Sequence, residues 1–80
     1  MTTTKVQVAY LSEKIGNLDD AKKYYRKYIN TYTKNDTYYD DSFYNLGLIY
    51  YDEGDIKKAK DTFYGLRYEV PDSEYNNSKV

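Results

Sequence analysis

Apolar residues return along the chain at intervals of three and four positions. One stripe is formed by Leu18, Ala21, Tyr25, Tyr28 and Tyr32, and a second with the same spacing by Ile56, Ala59, Phe63, Leu66 and Val70. Because this spacing places side chains on one face of an α-helix, it predicts amphipathic helices over residues 18–33 and 56–69.

Upstream of the second stripe lies a third. It consists of Tyr39, Phe43, Leu46 and Tyr50. These residues predict a helix over 38–53, and Asp36 or Thr37 is suitable as its N-cap.

The corresponding stripe at the start of the chain is weaker. Val8, Leu11 and Ile15 supply its apolar positions, but Lys5 and Ser12 stand where the later helix has an aromatic residue. We therefore expect a first helix over 3–15 that is the most frayed of the four.

A sequence repeat connects the two halves. Residues 16–25 return thirty-eight positions later as residues 54–63, and each copy opens on glycine followed by Asn17 or Asp55. Glycine adopts the positive φ that ends a helix, and Asn and Asp are favourable N-caps. Gly16 and Gly54 therefore predict tight turns between antiparallel helices. No segment of useful length alternates at the period of a strand, so we predict an all-α fold of two helical hairpins.

A third copy of the pattern begins near the carboxyl end. Residues 72–75 repeat the pattern of residues 36–39, with Ser73 as a plausible cap, and Pro71 ends the preceding helix. We expect the start of a fifth helix after residue 73. The organisation predicted is a single domain over 1–80, with one repeat over about 2–36, a second over about 37–72, and a partial capping helix over 73–80.

Tyrosine dominates the apolar composition. The chain has thirteen Tyr, two Phe, no Trp and no Cys, so its core depends on packing without disulfides. A tyrosine can bury its ring while its hydroxyl stays in water, which suits a thin domain. We expect one member of each adjacent pair, Tyr24–Tyr25 and Tyr50–Tyr51, to lie in the core and the other to be partly exposed.

The distribution of charged and apolar residues argues against nucleic acid and membrane as partners. Twelve basic and thirteen acidic residues are mixed along the chain, so no positive field favours nucleic acid. The apolar runs are too short for membrane insertion, and no signal peptide is recognisable at the amino end. The sequence does not identify the compartment.

The chain lacks several residue types and motifs that commonly carry out catalysis. Histidine and cysteine are absent, and there is no glycine-rich phosphate loop. We therefore predict no enzyme activity, no catalytic residue, no cofactor and no metal site. A calcium-responsive module is a remote alternative, since acidic residues gather at 36–41 and 52–55, but neither run has the ligand spacing of a calcium loop.

The second half of the chain resembles the tetratricopeptide repeat (TPR). The residues that match its signature are Phe43, Leu46, Gly47, Tyr50, Gly54, Ala59, Phe63, Leu66 and Pro71. The first half keeps Ala9, Gly16, Ala21 and Tyr25 but departs at Lys5, Ser12 and Thr33, and so looks like a degenerate terminal repeat. The resemblance implies a TPR-like α-solenoid, in which the small residues allow close helix approach.

The connection between the repeats is longer than usual, over residues 33–37. This length, together with residues 71–75, resembles a bacterial envelope group that includes the outer-membrane assembly lipoprotein and the Tol-Pal-associated periplasmic coordinator. The compartment implied is the periplasm if that resemblance holds, and the cytoplasm is the alternative.

In proteins of this family the first helix of each hairpin lines a concave groove. The positions that correspond here are Thr3, Val6, Tyr10, Glu13 and Lys14 in the first repeat, and Asp41, Tyr44, Leu48, Tyr51 and Asp52 in the second. Rigid aromatic side chains make good anchors, which favours Tyr10, Tyr44 and Tyr51. The alternative is that some of these tyrosines pack against a neighbouring hairpin.

The resemblance implies a non-catalytic scaffold that binds a protein partner, as a peptide or a helix, in this groove. Paired lysines and asparagines that clamp a terminal carboxylate are missing, so we expect mainly apolar contact, with basic residues of the partner near Asp41 and Asp52. The alternative is a structural stub that only stacks on neighbouring repeats. Self-association through the exposed ends of the solenoid is a related possibility.

Overall fold

The computed structural model describes residues 5–31 and 38–75 except Glu74, and only the backbone of Lys5 and Val6. These residues form four α-helices and no strand: α1 (Lys5–Lys14), α2 (Leu18–Thr31), α3 (Tyr39–Asp52) and α4 (Ile56–Glu69). Each helix packs on the next along the chain. The prediction of an all-α fold of two helical hairpins is confirmed.

The helix bounds differ little from those predicted. α4 has the expected bounds, α1 ends one residue early, and α3 is one residue shorter at each end. Asp36 and Thr37 lie outside the described residues, and the N-cap position of α3 is Tyr38, whose side chain makes no capping hydrogen bond. Ser42 instead donates its hydroxyl to the Tyr38 carbonyl at 2.8 Å. The predicted fifth helix also falls outside the described residues, apart from Tyr75.

Both hairpins turn through the same hydrogen-bonded motif. Gly16 has a φ of +86° and Gly54 a φ of +82°. After α1, the Asn17 amide donates to the Ser12 carbonyl at 2.8 Å, and after α3 the Asp55 amide donates to the Tyr50 carbonyl at 2.9 Å. These are Schellman bonds, which satisfy the last carbonyls of a helix and require the positive φ. The predicted role of the two glycines is confirmed.

Side-chain caps then start the second helix of each hairpin. The Asp20 amide donates to Asn17 Oδ1 and the Lys58 amide to Asp55 Oδ1, both at 3.2 Å. Asn17 also donates from its amide nitrogen to the Asp20 carboxylate at 2.9 Å. The predicted N-caps are therefore confirmed, and each hairpin is fixed by residues local to its turn.

The core is built around small residues that let the helices approach. Ala9, Ala21 and Ala59 are buried. At Gly47 the approach is closest, since an added Cβ would lie 2.6 Å from Phe63 Cε1. The predicted packing role of these positions is confirmed.

The aromatic and aliphatic stripes supply the rest of the core. Its larger buried members are Tyr25, Tyr28, Tyr39, Phe43, Leu46, Ile49, Tyr50 and Leu66. Each adjacent pair divides as predicted: Tyr25 and Tyr50 are buried, while Tyr24 is half-buried and Tyr51 is 55% exposed.

Two expectations about the stripes are wrong. Leu11 and Ile15 were expected as apolar positions of the α1 stripe, yet they are 60% and 79% exposed, while Ala9 and Ser12 are buried. Small side chains at these two positions let α1 lie close to α2, and the larger residues then point away. Ile56 of the α4 stripe is also 44% exposed, because it lies at the end of the stack.

The two hairpins meet where α3 crosses α2. Lys22 of α2 donates to Glu53 of α3 at 2.7 Å, and its ammonium lies 5.5 Å from the centre of the Tyr50 ring. Arg26 donates to the Tyr50 hydroxyl at 2.8 Å. The Glu53 hydrogen bond raises the pKa of Lys22. Charge and aromatic contacts therefore hold the second hairpin on the first.

Candidate functional site

The Tyr25 side chain of α2 makes hydrogen bonds to both α1 and α3, beneath the surface that these two helices form. Its hydroxyl donates to Glu13 of α1 at 2.8 Å and is also bonded by the side chain of Asn45 of α3. Burial, followed by the hydrogen bond to Glu13, raises the pKa of Tyr25. The hydroxyl is therefore a protonated donor at neutral pH, and it orients the Glu13 carboxylate.

An open cavity lies above this hydrogen-bonded group. Its volume is about 400 Å³, and it is lined by Tyr10, Glu13 and Lys14 of α1 and by Asn45 of α3. Glu13 and Lys14 are exposed, and Tyr10 is half-buried. The cavity thus presents a carboxylate, an ammonium, an amide and an aromatic ring within a small area, a combination that can bind both the backbone and the side chains of a peptide.

Tyr10 is held in place by edge-to-face ring contacts. Its ring centre lies 5.8 Å from that of Tyr25 and 6.5 Å from that of Tyr38, with interplanar angles of 71° and 84°. Burial, with Asp41 as the next cause, raises the pKa of Tyr10 to about 12. Tyr10 is therefore both a wall of the cavity and part of the packing between hairpins.

Asp41 and Tyr44 are engaged by the segment that follows α4. The Tyr75 ring stacks on Tyr44 with centres 4.4 Å apart and an angle of 16°, and the Tyr75 hydroxyl donates to Asp41. Ser73 donates to Asp40 at 2.8 Å. The hydrogen bond to Asp41 raises the pKa of Tyr75. Ser73 and Tyr75 therefore cover this part of α3.

The remaining predicted site residues lie elsewhere on α3. Leu48 is half-buried and Asp52 is exposed. Tyr51 lines a separate cavity of about 130 Å³, together with Ile56, Ala59, Lys60 and Phe63 of α4. Thr3 lies outside the described residues, as does the side chain of Val6. Apart from Leu48 and Asp52, the described site residues thus fall into three groups: those around Tyr10, those in contact with Tyr75, and Tyr51 beside α4.

Sequence reasoning missed two residues of this surface. Asn45 lies four positions after Asp41 and three before Leu48, so helical spacing alone places it on the face of the predicted groove. Tyr75 corresponds to Tyr39 in the repeat, and that correspondence indicates a contact with the preceding unit. Both signals are present in the sequence.

Four acidic residues of the described part of the chain are engaged in hydrogen bonds or ion pairs within the fold. Asp40 and Asp41 accept hydrogen bonds from Ser73 and Tyr75, Glu53 pairs with Lys22, and Asp55 caps α4. Within the described part of the chain, no group of three or more acidic, His or Cys side chains could hold a metal ion. The same part of the chain contains no helix long and apolar enough to cross a bilayer.

Two hairpins with the same turn, the same caps and the same small residues define the chain as a helical-repeat protein of the α-solenoid class. Two models of the tetratricopeptide repeat match it, over residues 3–35 and 41–73. The chain belongs to the tetratricopeptide-repeat family. No curated protein and no solved structure gives a significant match, and the family matches do not extend to the bacterial envelope group.

Proposed function

We propose that this chain is a non-catalytic protein-binding module whose cavity between α1 and α3 receives a peptide. Repeats of this family generally mediate protein–protein interaction. The observation that carries the proposal is the open cavity of about 400 Å³, which is lined by Tyr10, Glu13, Lys14 and Asn45. These groups offer a peptide two charges, an amide and an aromatic surface.

The peptide binds at the α1 side of the concave face. At the other side, Tyr75 already stacks on Tyr44 and bonds Asp41, so a partner reaches those residues only by displacing Tyr75. Asp52 is exposed, and it can meet a basic residue of the partner.

A peptide library provides the test, since the partner is identified only by its chemistry. Twelve-residue peptides displayed on phage are selected on the immobilised chain, and the selected peptides are titrated against Lys14→Glu. We expect this variant to weaken binding about tenfold, because it reverses one of the two charges of the cavity. Lys57→Glu makes the same charge change on the exposed face of α4 and is the matched control, with binding unchanged. Selected peptides that bind Lys14→Glu as tightly as the parent chain would contradict the proposal.

The second candidate is a structural stub that stacks on other repeats. It is favoured by the apolar residues exposed at both ends, Leu11 and Ile15 on α1 and Ile56 on α4. A stub predicts concentration-dependent self-association, measured by sedimentation, that Leu11→Glu abolishes. A monomer at all concentrations that still selects peptides through Lys14 supports the binding module. The bacterial envelope resemblance and the exclusion of nucleic acid stay predictions.

A further inference from the structure

The contact of α3 with α2 shows how one helix covers another in this repeat. Under α3, the Lys22 side chain is only 17% exposed, and it pairs with Glu53 at 2.7 Å. Ala21 and Tyr25 are fully buried, and Leu18 is half-buried. Helix α3 thus provides the Glu53 carboxylate that pairs with Lys22, and it covers the apolar stripe of α2.

The corresponding surface of α4 is not covered in this way by the described residues. Thirty-eight positions on, Leu18, Ala21, Lys22 and Tyr25 are replaced by Ile56, Ala59, Lys60 and Phe63. With Tyr51, these four residues line the cavity of about 130 Å³, here called the α4 pocket. Ile56 is 44% exposed and Lys60 is exposed. The α4 pocket therefore retains the small residue, the apolar residues and the lysine that α3 covers on α2.

We propose that the α4 pocket binds one amphipathic α-helix of a second polypeptide, in the register in which α3 covers α2. This helix places an aromatic residue at the position of Tyr50 and a carboxylate three residues later, at the position of Glu53, where it pairs with Lys60. The proposal concerns a surface separate from the α1 cavity and does not depend on the function proposed for that cavity.

One difference between the two surfaces defines the partner further. On α2 the Tyr25 hydroxyl bonds Glu13 and Asn45, whereas on α4 the corresponding residues are Phe63 and Tyr51. Phe63 offers no hydroxyl, so an asparagine facing it loses that hydrogen bond when it leaves water. The bound helix therefore carries an apolar residue at the position of Asn45.

A second copy of this chain does not supply such a helix. In a second copy the free covering helix is α1, where Ser12 and Ile15 replace Tyr50 and Glu53. An isoleucine beside Lys60 makes no ion pair. Charge complementarity therefore favours a different polypeptide.

A synthetic helix with the chemistry of α3 is a direct probe. The probe is a peptide of residues 38–53, acetylated and amidated at its ends, added to the ¹⁵N-labelled chain and followed by amide chemical shifts. Two variant peptides carry Glu53→Lys or Asn45→Leu, and peptide helicity is measured by circular dichroism so that its effect can be subtracted. The protein variants are Lys60→Glu and, as the matched charge control on the same helix, Lys57→Glu.

We expect shifts that cluster at Ile56, Ala59, Lys60 and Phe63. Lys60→Glu weakens binding of the parent peptide about threefold or more, and the Glu53→Lys peptide restores it. Lys57→Glu binds like the parent chain. The Asn45→Leu peptide binds at least about fivefold more tightly than the parent peptide, because no amide is then buried against Phe63.

Several results would overturn the proposal. No shifts at millimolar peptide, or equal binding by Lys60→Glu and the parent chain, would remove the pocket as a helix site. Shifts centred on Lys22 and Arg26 would mean that the peptide displaces the chain's own α3. Concentration-dependent shifts at the α4 pocket without peptide, abolished by Ile15→Lys, would assign it to a second copy. Because the α1 cavity is tested through Lys14, either proposal can fail while the other stands.

Discussion

At the scale of the residue, the packing of α3 on α4 depends on two positions without side chains. Gly47 lies under the Phe63 ring, and Gly65 lies under the Phe43 ring, where an added Cβ would be 3.1 Å from Phe43 Cε1. Gly47 could be predicted, because it stands in the family signature beside Leu46. Gly65 could not, because an isolated glycine in a helix gives no indication of the ring that another helix places over it.

The buried tyrosine hydroxyls predict alkaline instability. Burial raises the pKa of Tyr10 to about 12, and the pKa values of Tyr25, Tyr39 and Tyr75 are raised too. In the unfolded chain tyrosines ionise near pH 10. Above that pH the unfolded state releases protons that the folded state retains, so the free energy of unfolding falls as pH rises from 10 to 12. Lys22 acts with the same sign, since its raised pKa stabilises the fold only while it is protonated.

Two measurements check this pH dependence. Melting curves by circular dichroism should shift to lower temperature from about pH 10 upward. Absorbance of tyrosinate in the folded chain should show tyrosines that ionise later than they do in the unfolded chain, with Tyr10 near pH 12. A constant melting temperature up to pH 12, with no tyrosine of the folded chain ionising later than in the unfolded chain, would contradict the assigned contacts.

At the scale of the element, the hairpins are local structures, and this is why sequence predicted them well. The glycine turns and the Asn17 and Asp55 caps involve residues within five positions of one another. The orientation of α1 could not be predicted in the same way. Its larger apolar residues, Leu11 and Ile15, face outward because α2 comes close to Ala9, and periodicity alone favours the larger side chains.

Ala21 and Ala59 stand at the same position of the two hairpins but in different surroundings. Ala21 is fully buried, whereas Ala59, though only 2% exposed, lines the α4 pocket. We expect Ala21→Leu to lower the free energy of unfolding by roughly 1–3 kcal/mol, since the added atoms overpack the core. Ala59→Leu costs less, because the cavity of about 130 Å³ accepts part of the side chain. Urea unfolding of both variants measures the difference. An equal loss of stability in the two variants, or no loss in Ala21→Leu, would contradict the different surroundings assigned to the two alanines.

At the scale of the whole molecule, the stack is continued by long-range contacts that sequence specifies less directly. The repeat predicted that the second hairpin lies on the first, but not that Lys22, Tyr50 and Glu53 form the contact. The predicted groove residues also fall into separate groups, because Tyr75 covers Asp41 and Tyr44 while Tyr51 faces α4. Spacing places residues on a helix face, and the packing of the next unit decides which of them stay accessible.

The fold depends on two copies of one hairpin that stack through α2 and α3. A nuclear Overhauser spectrum of the chain in solution tests this stacking most directly. It should contain cross-peaks between the Tyr50 ring and the side chains of Lys22 and Arg26, across the hairpin interface. Cross-peaks between Gly47 and the Phe63 ring serve as the control within one hairpin. If the control peaks are present and the Tyr50 peaks are absent, each hairpin folds but the two do not stack, which contradicts the interface between α2 and α3.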